Sequence, residues 1–276
     1  MASYLALNRG LAILDLLADE AGGRPLTAIA AKLGLPKSAA HRLLLALSRQ
    51  GYVSQDAATQ HYRLTLRLPA LGFRFLAATK IAEVAQPVLD RLAQATGELV
   101  RMALVEGNAM TWVAKAQGAR SGLRYDPDMG REVILHATAT GKAWLSTFDE
   151  RAALALVRAR GFPKAERFGP NVVRTEAALR RELRETRQRG YGLALEEAEA
   201  GTAAIACTIR AAPRPDARIV GTVSVAGPRV RFTRERIPAL AKSVAAAARE
   251  LGMLWPVREQ LAADAAVADP GLRASA

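Results

Sequence analysis

Lys37, Ser38, His41 and Arg42 stand at the spacing that lines up one stripe of a helix. A cation, a hydroxyl, an imidazole and a guanidinium on one stripe suit nucleic acid. Arg42 can form a bidentate pair with guanine, and His41 can contact a base or a phosphate. Lys37 and Ser38, near a helix start with free backbone N–H groups, can take phosphates. Arg63 and His61 follow where a hairpin would turn them toward an adjacent groove. Thr27, at the start of a shorter helix just before, is a further candidate contact. On an isolated helix such a stripe is only a solvated face, so the surrounding elements decide.

Other reactive types do not assemble into a site. Gly141-Lys142 invites a phosphate-loop reading, but that loop needs Gly and Ser or Thr where this chain has His136 and Ala143. Cys207 with His136 could suggest a thiol nucleophile. Cys207 lies in the apolar run 203–209, however, and reads as a buried strand residue. Glu196 and Glu197 are adjacent, so on a strand they face opposite ways and cannot share one substrate. No catalytic residue and no cofactor is expected. With one cysteine and three separated histidines, neither a disulfide framework nor a metal site is expected.

The elements that must carry the stripe are legible. Leu7, Leu11, Leu14 and Leu17 predict an amphipathic helix over 5–19. After the Gly22-Gly23-Arg24-Pro25 break, Thr27 is read as the cap of a short helix over 28–33. Gly34-Leu35-Pro36 is a turn, and Pro36 suits the first position of a third helix ending at Gly51. Ala40, Leu43, Leu44 and Leu47 form its inward stripe. Tyr52-Val53-Ser54 and His61-Tyr62-Arg63-Leu64 flank a polar turn and predict a hairpin. Three helices and a hairpin make a winged helix-turn-helix.

A helical stretch follows over 66–96, with interruptions expected at Pro69 and Pro87. Strands are predicted over 99–106, 110–116, 193–195, 202–210 and 218–226. Helices are predicted over 137–160 with a break near Phe148-Asp149, over 175–189, and over 233–251. The second region thus reads as an α+β sensor-type domain.

Charge agrees with the stripe. The 276 residues carry 39 Lys and Arg against 26 Asp and Glu, a net charge of +13, which favours polyanions. Residues 1–75 alone hold nine basic side chains against four acidic ones. No apolar run reaches the roughly 18 residues of a membrane span, and no signal peptide is visible, so a cytoplasmic protein with no membrane partner is expected.

The motifs together resemble IclR-type bacterial transcription regulators. The resemblance rests on the runs Arg9 to Leu17, Gly34 to Ser38, His41 to Leu44, Gly51 to Val53 and Tyr62 to Leu64. It continues through Leu135-His136-Ala137-Thr138-Ala139-Thr140-Gly141-Lys142-Ala143, Gly190 to Leu193, Glu196-Glu197, Gly201, and Val223 to Pro228. It implies a winged helix-turn-helix over 1–66, a linker helix over 67–80 and an effector-binding, oligomerising domain over 81–258 of GAF/profilin-like mixed α/β fold. A loose tail is expected over 259–276.

The resemblance also implies double-stranded operator or promoter DNA as partner, and a homodimer or dimer of dimers. The implied function is a ligand-responsive regulator, more often a repressor, of a catabolic operon. Its effector is a small organic acid or an aromatic acid. Implied effector contacts are Met129, Leu135, Ala139, Thr140, Glu196, Ala204, Ile205, Thr222 and Ser224. Backbone N–H groups at 139–141 could hold a carboxylate, with Arg124 and Arg131 adding charge.

The chain departs from the family pattern at several places. Ala39-Ala40 replaces a pair such as Thr-Val. Ala194, Ala204 and Ala226 stand where the family often has Asp, Cys or Ser, and Ser. Fewer donors predict a larger or more apolar ligand than a two-carbon acid.

Overall fold

A computed structural model describes residues 2–268 except 128, 131 and 163–167; for 2–4, 262 and 264–268 only the backbone is described. It divides into two units, residues 1–78 and 79–276.

The first unit runs α1 (Ala2–Ala18), α2 (Leu26–Lys32), α3 (Lys37–Arg49), β1 (Val53–Gln55), β2 (Tyr62–Leu64) and α4 (Arg67–Ala78). Ile13 and Leu17 of α1, Ile29 of α2, Leu44 of α3, and Val53 and Tyr62 of the hairpin meet in its core. Each such side chain contributes about 1.5–3 kcal/mol when fully buried. Not every leucine of the expected α1 stripe is inside: Leu7 and Leu11 are exposed. The inward face is shifted toward Ile13 because the core lies only against the second half of the helix.

Two starts differ from expectation by one or two residues. Pro36 is the N-cap of α3 rather than its first residue, with φ −57° set by its ring. Its carbonyl accepts the N–H groups of Ala39 and Ala40, both at 3.0 Å. Thr27 is not the cap of α2. Pro25 holds that place, its carbonyl accepting from Ala28 and Ile29, and no side chain caps the helix.

The second unit contains α5 (Ile81–Thr96), β3 (Leu99–Glu106), β4 (Ala109–Gln117), α6 (Ala139–Leu145), α7 (Glu150–Arg160) and α8 (Glu176–Arg189). It continues with β5 (Gly192–Leu195), β6 (Thr202–Arg210), β7 (Ile219–Pro228) and α9 (Arg236–Ala268). The strands form one antiparallel sheet in the order β4-β3-β7-β6-β5. Alternation gives the sheet two different faces. Val100, Met102, Ile205, Cys207, Val223 and Val225 pack with α5 and α9. Ala103 and Trp112 turn the other way, toward Trp144 of α6, Leu154 of α7 and Leu179 of α8.

Pro87 does not interrupt its helix. It sits on the exposed side of α5, where the carbonyl it leaves unpaired can meet water. The break falls instead at Lys80, a left-handed residue at φ 56°. The expected loose tail also begins too early. α9 is 33 residues long and continues through Ala268, as a run of Ala, Leu, Glu and Gln allows. Residues 269–276 lie outside the described residues.

Candidate functional site

The α3 face is built by the turn before it. Gly34, at φ 62°, reverses the chain after α2, and Leu35 donates back to the Ala30 carbonyl at 2.8 Å. With Ala40 and Leu44 locked in the core, Lys37, Ser38, His41 and Arg42 are all exposed on one side. Ala39 is half-buried beside them. Arg63 is exposed on β2, opposite Ser54 in register, and His61 is half-buried at the strand's start. Asp56 holds the hairpin turn by accepting from the Thr59 N–H, the Thr59 hydroxyl and the Ala58 N–H. Those bonds, the Thr59 backbone first, hold its carboxyl below the usual range.

The second site is a cavity between the sheet and α6. Its lining includes Arg101 of β3, Trp112 of β4, Tyr125, Thr140 of α6, Glu197 and Ser224 of β7. Part of its floor is a row of alanines in register across three strands, Ala194, Ala204 and Ala226. These are the three alanines noted in the second region as departures from the family pattern. In the next row, Ser224 pairs with Arg101. The Arg101 guanidinium lies 3.8 Å from the centre of the Trp112 ring and 5.9 Å from that of Tyr125. Burial pulls the Arg101 pKa below its ordinary value, opposed by Tyr125 and Asp126. A guanidinium is basic enough to keep its charge through such a shift. The free space measures about 30 Å³, room for two or three water molecules at ~10–15 Å³ each. The alanines shorten the side chains on the floor, and Arg101, Trp112 and Tyr125 line the same space.

The structure brings four of the nine implied effector contacts to this cavity: Ala139, Thr140, Ala204 and Ser224. The other five lie elsewhere. Ile205 points to the opposite face of the sheet, as strand alternation requires once Ala204 faces the cavity. Leu135 and Met129 belong to the cluster under α7 and α8. Thr222 is fully buried one step further along β7. Glu196 is left-handed at φ 54° and spends its carboxylate on the Gly201 N–H at 3.1 Å. Its neighbour Glu197 is the one that turns in. The Gly141 N–H is not free for a carboxylate, because the Thr138 hydroxyl caps it at 3.0 Å. Arg124 is exposed and paired with Asp126. Arg131 lies outside the described residues. Arg101, Trp112, Tyr125 and Glu197 line the cavity outside the expected set; the sequence signal for Arg101 is an arginine inside the apolar run 99–104.

Behind the cavity lies an ionic chain. Lys142 is completely buried. Its ammonium donates to Glu197 at 2.7 Å and to Glu182 at 3.1 Å, and Arg189 donates to Glu182 at 2.6 Å. Burial pushes the Glu197 carboxyl up, against the pull of Lys142. Gly141-Lys142 thus serves packing and charge balance. A Cβ at Gly141 would stand 2.2 Å from the Leu135 carbonyl oxygen. Burial also pushes the Cys207 thiol up to about 11, which leaves it protonated and a poor nucleophile.

His136 is buried, 5.3 Å from Phe162 and 6.1 Å from Phe168 by ring centres. Burial first, and Lys142 second, push it down to about 4. An unfolded histidine takes a proton near 6.5, and the folded one refuses it until about 4. Stability contributed here is therefore present above pH 6.5 and lost progressively as the pH falls to 4. Urea titrations across that range should give a steeper decline for the native chain than for His136→Gln. Equal slopes would contradict the buried neutral imidazole.

A helix-turn-helix with a basic exposed face, joined in one chain to a sensor domain with a cavity that carries a buried arginine, defines a ligand-responsive DNA-binding transcription regulator. Residues 6–57 match the family model of the IclR helix-turn-helix domain. Residues 73–253 match that of the bacterial transcriptional regulator IclR C-terminal domain. The chain belongs to the IclR family. It is 33% identical over 246 residues to the HTH-type transcriptional regulator BhcR of Paracoccus denitrificans, covering 89% of this chain and 85% of that one. It is 28% identical over 251 residues to the transcriptional repressor IclR of Escherichia coli, covering 91% and 89%. A solved IclR homologue from Microbacterium hydrocarbonoxydans, in complex with 4-hydroxybenzoate, matches at a TM-score of 0.71 and 22% identity. That match covers 91% of this chain and 99% of the other, and it is one of fold.

Proposed function

We propose that this chain is a repressor of a catabolic operon that leaves its operator when a small organic acid enters the α6 cavity. The observation that carries this is the buried Arg101, a cation lining a cavity in a chain whose other unit presents a basic helix. Lys37, Ser38, His41, Arg42 and Arg63, with Thr27 exposed at the start of α2, are its DNA contacts. Ala139, Thr140, Ala204 and Ser224, joined by Arg101, Trp112, Tyr125 and Glu197, are its effector contacts. Relatives named as repressors support the sign of regulation. The homologue holding 4-hydroxybenzoate supports an acid as effector. Release requires that the acid bind one of two conformations more tightly than the other.

The working form is a homodimer or a dimer of dimers. Leu7 and Leu11 of α1 and Phe73 and Phe75 of α4 are large apolar side chains left exposed in the single chain, which supports a partner copy over that surface. On this basis the protein works in the cytoplasm. No helix among the described residues is long and apolar enough to cross a membrane.

Fluorescence anisotropy with DNA from upstream of its own gene, against a scrambled duplex and across a salt series, tests the proposal. Arg42→Ala should lose about 1–3 kcal/mol of specific binding if Arg42 reads guanine. If Arg42 touches only phosphate, binding weakens on both duplexes and the salt slope falls by about 1. Unchanged affinity would remove α3 from the interface.

A further inference from the structure

The sheet of the second unit has two edges, and other segments cover much of both. Along β4, the Met110 carbonyl accepts from the Val133 N–H at 2.9 Å, and the Gln117 side chain donates to the Tyr125 carbonyl at 3.0 Å. Past the end of β5, the Asn171 side chain donates to the Leu195 carbonyl and the Asn171 N–H to that of Glu196, both at 3.1 Å. Such cover is expected, because an open strand edge is a template for another strand. β6 outruns it. β5 begins at Gly192, opposite Ala206, so residues 207–210 of β6 have no strand beside them on that side. Hydrogen bonds at the other end of β6 fix which groups face the gap. The Thr202 carbonyl accepts from Glu196 on the β5 side, and the Gly201 carbonyl accepts from Arg229 on the β7 side. Alternation then turns the N–H and C=O of Thr208 toward the open edge.

Space lies on both faces of that edge. A cavity of about 410 Å³ opens on the α9 side, where Cys207 meets Ala245, Ala248 and Gly252. One of about 460 Å³ opens on the α6 side, where Ser146 and Thr147 meet Thr186 and Arg187. Thr208 and Arg210 line both. The first is walled by small side chains, the second by hydroxyls and cations. Arg214 and Arg249 join Arg210 around the first, and neither lining holds a carboxylate. Arg187 and Arg210 donate to backbone carbonyls, which leaves their charge unbalanced. Among the described residues, Arg214 alone of these arginines has a carboxylate partner, Asp216 at 3.6 Å with both side chains exposed.

We propose that this edge receives an extended acidic segment of a partner protein, which adds a strand beside β6 where β5 stops. Thr208 exchanges main-chain hydrogen bonds with it, and its alternate side chains fall on opposite faces. Carboxylates on one face meet Arg187 and Arg210, and apolar side chains on the other lie over Ala245 and Ala248. Main-chain pairing supplies affinity, and the arginines select an acidic sequence against a basic one. Neither cavity shares a lining residue with that of Arg101, so the site does not depend on the nature of the effector.

Fluorescence anisotropy on the full chain tests this with fluorescein-labelled Val-Glu-Val-Glu-Val-Glu. The comparison peptides are Val-Lys-Val-Lys-Val-Lys, Val-Val-Val-Glu-Glu-Glu, and the first peptide with its backbone nitrogens methylated. The first should bind about 10-fold tighter than its methylated form, the value of a main-chain hydrogen bond or two. It should also bind more tightly than the block peptide, and the lysine peptide should not bind measurably. Thr208→Pro removes a donor at the open edge, where a strand tolerates proline, and should weaken binding by about 10-fold. Arg249→Glu, on an exposed side chain, should weaken it as well. The comparison among peptides on the native chain stands even if a variant fails to fold. Equal binding of the methylated form means that charge alone attracts the peptide and overturns the added strand. Equal binding of the block peptide overturns the division of faces. Loss with Arg42→Ala and none with Thr208→Pro would place the peptide on α3 and overturn the site. A native chain that binds none of the peptides overturns the proposal, and a smaller assembly for Thr208→Pro in light scattering would then give the edge to a second copy.

Discussion

Lys142→Ala should destabilise the second unit by about 3–5 kcal/mol, the cost of removing one partner from a buried ion pair. Lys142 has no exposure, and its ammonium is the contact that neutralises Glu197 beside the cavity. Glu182 keeps Arg189 at 2.6 Å, so the larger loss falls on Glu197. Its carboxyl, already raised by burial above the ordinary 4.5, loses the cation that held it down and rises further. The folded variant then binds a proton that the unfolded chain releases, so its deficit shrinks as the pH falls from neutral toward 4.5. Urea unfolding at several pH values checks both the size and the slope. The double variant Lys142→Met with Glu197→Gln should recover part of the loss, because removing both partners leaves no orphan charge. A single variant as stable as the native chain at neutral pH would mean that water reaches Lys142.

Gly192→Ala should cost about 3 kcal/mol, the upper end for forcing a methyl group into a packed contact. A Cβ there would stand 2.0 Å from the Ala139 carbonyl oxygen and 2.9 Å from the Ala143 nitrogen. Both are backbone atoms of α6, so no side chain can swing aside. The helix lies this close because its neighbours are small: Ala139 and Ala143 meet Ala194 and Ala206. That contact fixes where Ala139 and Thr140 stand on the cavity wall. The variant should therefore weaken acid binding as well as fold stability, read by calorimetry and by urea unfolding on the same preparation. Native stability together with native acid binding would contradict the close approach of β5 to α6.

Most of the secondary structure was legible in the residues because its causes are local. Pro36 and Gly51 bound α3, the Ala40, Leu43, Leu44 and Leu47 stripe sets its inward face, and so Lys37, Ser38, His41 and Arg42 had to share the outward one. The strands expected over 99–106 and 110–116 pair as β3 and β4, and the helix expected over 175–189 is α8, with Thr175 as its N-cap. The family was equally legible, because its motifs are short runs in a set order.

The cavity was decided by tertiary structure. Alternation says that Ala204 and Ile205 oppose each other, but only packing against α5, α9 and α6 determines which of them faces the ligand. The same holds for Glu196 and Glu197, separated by a left-handed turn that spends one carboxylate on Gly201 and buries the other. Arg101 is 123 residues from Ser224 and is brought beside it by strand register alone. Local sequence governs backbone periodicity and caps, which depend on neighbours a few residues away. Which side of an element is buried, and which charge is left without a partner there, depends on residues far apart in the chain.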